Sequence, residues 1–159
     1  MSPAHIHLIL NHAPLFGLLG ALLLLLGGLI WKSRDVLRAG LIVAVATSLI
    51  GIPAYLTGEE AEESIEHVQG ISHDAIEAHE DAALGVLVAT ELAGVLALVG
   101  LLMGRTNDVH LRRSTLLTAV VAAIGFGWAG YVNNLGGQIR HTEILSGQQA
   151  VQPAAEAED

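Results

Sequence analysis

The chain has 159 residues, enough for one domain, and 52% of them are apolar while only 4% are aromatic. A formal charge of -9 argues against a nucleic-acid partner. The absence of cysteine excludes disulfides, thiolate metal sites, iron–sulfur clusters and covalently attached c-type haem.

The apolar residues are mainly Leu, Ala, Val, Ile and Gly, in blocks long enough to cross a bilayer. The start of the chain carries His5, His7 and His12 but no positive charge, and Lys32 and Arg34 follow the first apolar run. That order points to a retained anchor and not a cleaved signal. His5 and His7 read as an exposed terminus. Asn11 stands where a helix cap belongs and Pro14 in the first turn, where its missing N–H costs nothing. His12 is then at the mouth of the first span, at about 14–31. Its residues, at 1.5 Å each, cover roughly 27 Å. Trp31 and Lys32 mark the interface. The second span is at about 36–56, and Gly51 and Pro53 predict a kink or an early end.

Thr57-Gly58-Glu59-Glu60 has the form of a capping box, which predicts a short amphipathic helix reaching about Val68 and broken by Gly70. Ser72 then caps one long helix to Met103, its first two turns outside the membrane and its span at about 82–103. Glu91, near mid-span, is the only formal charge in any span away from its ends. It is costly unless protonated or paired, and Thr47 or Ser48 is the expected hydroxyl partner. The fourth span, at about 115–135, has small residues every four positions at Ala119, Ala123 and Gly127, and Gly136-Gly137 is expected to end it. Residues 146–159 read as a disordered acidic tail after a membrane domain of residues 1–145. No Gly-x-Ser-x-Gly, P-loop or Rossmann fingerprint is present.

Six of the seven basic residues fall in two loops, Lys32, Arg34 and Arg38 in one, Arg105, Arg112 and Arg113 in the other. The positive-inside rule places both loops in the cytoplasm. The expected fold is an all-α, integral membrane four-helix bundle with a short extramembrane helix between spans two and three. The expected location is a bacterial inner membrane, with both termini and the acidic segment on the periplasmic face.

Seven of the eight histidines then share that outer face, and Thr57 to Asp81 adds nine carboxylates without a Lys or Arg. His12, His79 and His141 lie where spans meet water, far apart in sequence and close in a bundle. Glu63 and His67 are four apart and can ligate one ion. Glu66 lies beside them, and Glu80 follows His79 but points about 100° away on a helix. His79 shares a helix face with Ala83, Val86 and Thr90, small enough to leave room for a flat macrocycle. No Glu-x-x-His pair occurs, so the di-iron carboxylate signature is not met. The favoured reading is haem b held by His79 with either His12 or His141, passing electrons between a quinone and a periplasmic carrier. The alternative is a single divalent transition-metal ion on His12, His79 and His141 with Glu63, Glu66, His67 or Glu80 completing the set. A third reading is an accessory subunit. Its Ala/Gly stripe would pack on other membrane subunits and its acidic cap would dock a basic soluble carrier. Whether the chain turns over a substrate is open.

Three pieces carry a resemblance: Asn11-His12-Ala13-Pro14 opening the first span, His79-Glu80-Asp81-Ala82-Ala83 opening the third, and Gly136-Gly137-Gln138-Ile139-Arg140-His141 closing the fourth. With these the chain resembles a family of small four-span bacterial membrane proteins of unknown function, over about residues 5–145. The resemblance implies a four-helix bundle with histidines at one face, and b-type haem binding or companionship to a redox chain.

Overall fold

The computed structural model describes residues 2–64 and 73–139. Five helices follow in order: α1 (Pro3–Leu10), α2 (Ala13–Ile30), α3 (Arg34–Glu63), α4 (His73–Met103) and α5 (Asp108–Gln138). Each long helix packs antiparallel on its neighbour in the chain, and α5 closes the ring on α2. Diagonal pairs barely touch. The result is an up-down-up-down four-helix bundle, with α1 laid against α3. Four stretches are long and apolar enough to cross a membrane: Ala4–Ile30, Arg34–Glu63, His73–Met103 and Asp108–Gln138. A helix of 31 residues extends about 46 Å, more than the ~30 Å of hydrocarbon, so its ends stand clear.

The apolar pattern is inverted relative to a soluble bundle. The interior holds Ala21, Ala44, Ala93, Ala97, Ala122 and Ala129 with a few leucines, while Leu23, Leu49, Val88 and Ile124 point outward. Such an apolar surface is stable only in lipid, and the chain is a multi-pass membrane protein. Small interior residues let backbones approach closely, which is the main attraction between helices in lipid. At Gly28 a Cβ would lie 2.8 Å from the backbone nitrogen of Leu37, and at Gly94 it would overlap Ser48.

Both helices that start at the basic end are capped by side chains. Ser33 Oγ accepts from the N–H of Val36, and Asn107 Oδ1 accepts from those of Val109 and His110. Arg34 joins the two basic turns through Asp108 at 2.9 Å and the carbonyl of Gly104 at 3.3 Å.

Several local expectations are corrected. α2 opens at Ala13 with Pro14 in its first turn, as expected, but a separate helix, α1, precedes it. Asn11 and His12 keep right-handed helical backbone, and Asn11 is no N-cap: its N–H bonds to His7 O. Pro14 has no N–H to donate, which costs nothing in that first turn. α3 does not end at Pro53 but runs on to Glu63. Thr57 is therefore mid-helix, not a cap, and its hydroxyl donates to Pro53 O at 2.8 Å. α5 contains the expected fourth span but passes through Gly136-Gly137 to Gln138. The proposed breaker Gly70, the cap Ser72 and the acidic tail lie outside the described residues.

Candidate functional site at the histidine-rich end

Among the described residues, His5, His7, His12, His73 and His79 lie at one end of the bundle, and His110 at the other. The packing of α1 on α3 brings His7 against α3. Its Nδ1 donates to the carbonyl of Ala54 at 3.1 Å, and its ring lies over Gly58, where a Cβ would be 3.4 Å from Cε1. The first turns of α4 bring His79 against α5 in the same manner. Its Nδ1 donates to Val132 O at 2.9 Å, and a Cβ at Gly136 would be 3.1 Å from its Cε1.

The two histidines use one device. Each donates to a carbonyl four residues before a glycine, Ala54 before Gly58 and Val132 before Gly136. The missing side chain lets the ring reach a carbonyl that a larger residue would cover. A carbonyl oxygen only accepts, so Nδ1 carries the hydrogen, and in the neutral ring Nε2 presents a lone pair. Metal-bound histidines are oriented by this same outer bond.

His7 lies within electrostatic reach of both His79 and His12, and Glu80 within reach of His79. His12 is exposed at the junction of α1 and α2. Its Nδ1 meets Asn11 Oδ1 and its ring stacks over Phe16 with centroids 6.5 Å apart. His5 is exposed as expected, but His7 is half-buried and bonded, which corrects its reading as part of a loose terminus. The signal for it was present in Gly58, a glycine inside a helix one turn from Ala54.

Of the other candidates, Glu63 and Glu80 are exposed. Glu66, His67 and His141 lie outside the described residues. Among the described residues no three ligating side chains are grouped to hold one ion. The face of His79 expected to leave room for a macrocycle is filled: Val86 packs there with Ala129 and Val132, and Ala83 lies against them. Any flat group must sit beyond this layer, toward the histidine-rich end.

A second polar locus lies deep in the bundle. Ser48 Oγ donates to Glu91 Oε2 at 2.8 Å, as the sequence led us to expect. Thr47 instead turns back to Val43 O at 2.8 Å. Glu91 Oε1 is buried without a partner among the described residues, beside the gap at Gly51. Of the small-residue stripe on α5, only Ala119 is buried. Ala123 and Gly127 face outward, and nothing lies within 4 Å of a Cβ built on Gly127.

No known protein family, curated protein or solved structure was found to match this chain.

Proposed function

We propose that this membrane protein binds a b-type haem at its histidine-rich end and transfers electrons through it. His79 would hold its iron, with His7, His12 or His141 as the second imidazole. The observation that carries the reading is the pair of Nδ1–H bonds to backbone carbonyls. They hold two half-buried imidazoles in the tautomer that offers Nε2. The donor set fits haem better than a bare ion, because haem needs two imidazoles and a bare ion needs three or four ligands.

Haem, when bound, would supply reversible one-electron transfer. The chain's own residues orient the rings through Ala54 and Val132 and keep water from the apolar layer of Val86, Ala129 and Val132. With the basic loops cytoplasmic by the positive-inside rule, this end faces the periplasm, where a quinone in the bilayer and a soluble basic carrier are both accessible as partners. The acidic residues Glu59, Glu60, Glu63, Glu77 and Glu80 around it are exposed and suit a basic carrier. The likeness to small four-span bacterial membrane proteins leans the same way.

An absorption spectrum of the detergent-purified protein, before and after dithionite, tests this reading. Low-spin haem bands that vanish in His79→Ala are expected. A colourless protein with one equivalent of a divalent metal would move the assignment to the bare-ion site. Full haem spectra in His79→Ala would overturn it.

A further inference from the structure

At the basic end, the C-terminus of α2 and the N-termini of α3 and α5 enclose a cavity of about 350 Å³. Its floor is apolar, from Leu29, Leu37 and Leu111. Its rim carries Lys32, Arg34 and Arg112 with one carboxylate, Asp108. Asp108 is already held by Arg34. Lys32 and Arg112 have no hydrogen-bond or ion-pair partner among the described residues, so the cavity keeps an excess of positive charge that none of them neutralises.

The backbone at Lys32 supplies a second, independent observation. Lys32 follows the last helical bond of α2, from Trp31 N–H to Gly27 O at 2.9 Å, and Ser33 N–H reaches back to Gly28 O at 3.0 Å, the six-to-one bond of a Schellman turn. Lys32 has φ 52°, and among the described residues it is the one non-glycine with positive φ. Glycine fills that position without steric cost. Here that left-handed position carries an ammonium on the cavity rim.

An apolar floor below a cationic rim, beside the 74% exposed Trp31 that marks the bilayer interface, matches an amphiphile with an anionic head. We propose that this cavity holds the phosphate of an anionic phospholipid, gripped by Lys32 and Arg112 with Arg34 beside them. A free phosphate from the aqueous phase shares the head-group chemistry but leaves the leucine floor uncovered.

The test uses the full chain, delipidated in neutral detergent, with phosphatidylglycerol, phosphatidylcholine or inorganic phosphate added. Retained lipid is read by native mass spectrometry and stability by thermal unfolding. Phosphatidylglycerol should be retained and raise the melting temperature, and the other two should do neither. Lys32→Gly relieves the strained turn, so it should be at least as stable as the parent in plain detergent. Its affinity for phosphatidylglycerol should nevertheless fall roughly five-fold, and Lys32→Gly with Arg112→Gln should fall roughly five-fold further. Equal protection by phosphatidylcholine would overturn the proposal. So would an equal shift from inorganic phosphate, which would make the site a soluble-phosphate site, or an undiminished phosphatidylglycerol effect in the double variant.

Discussion

Ser48→Ala isolates the one side-chain bond that Glu91 makes. The substitution removes the 2.8 Å hydrogen bond from Ser48 Oγ to Glu91 Oε2. It retains the Cβ, so the close approach of α3 to Gly94 on α4 is preserved. Glu91 Oε1 already lacks a partner, so the variant leaves the whole side chain unsatisfied in the bundle. Leaving a buried polar group unpaired costs about 1–3 kcal/mol in water-soluble proteins, but interhelical bonds in lipid average about 0.6 and reach about 1.7. The expected loss is therefore about 1–2 kcal/mol. The assay is reversible unfolding in mixed micelles, titrated with a denaturing detergent and followed by circular dichroism. The same substitution is then made in a Glu91→Leu background, where no partner remains and Ser48→Ala should cost almost nothing. A coupling below about 0.3 kcal/mol, the level seen for independent sites, would show that the hydrogen bond contributes nothing to stability.

Gly28→Ala and Gly40→Ala should each destabilise by about 1–3 kcal/mol, because the new Cβ meets backbone nitrogen on the facing helix. Gly127→Ala and Gly130→Ala meet open space and should stay within about 0.5 kcal/mol of the parent, so the four together test the helix packing by thermal unfolding. Gly136→Ala pushes the His79 ring off its place against α5. Haem titration should show binding weakened about 10- to 100-fold with the helical content intact, and parental affinity would refute the orienting role of Val132. Arg34→Ala breaks a pair whose side chains are 47% and 66% exposed, so unfolding should show a loss of at most about 1 kcal/mol, smaller still at high salt.

Much of the fold could be read from the sequence because lipid imposes a simple rule. Backbone groups in hydrocarbon must bond within their own segment, so each long apolar block is a helix. Helix ends were harder to place. Pro53 and Gly136-Gly137 carry local signals for stopping and Thr57 one for starting, and all three lie inside continuous helix. Packing against neighbouring helices outweighs those propensities, since Gly136 faces His79 and Ala54 faces His7. The placement of His79 near a span end was also readable. The role of His7 was not, because nothing near it in sequence shows that α1 folds onto α3.

By itself, the sequence determined the class of molecule, the number of membrane crossings and the gathering of histidine and acid at one end and basic residues at the other. Hydropathy and charge are sums over local stretches, and they need no knowledge of which helices touch. Only the tertiary structure decided which carbonyl each imidazole meets, that Ser48 and not Thr47 serves Glu91, and that three cations ring a cavity floored by leucines. Those pairings depend on the rotation and axial register of one helix against another. They are set by where glycine and alanine let backbones approach, and a shift of one residue, about 100° of rotation, would reassign every one of them.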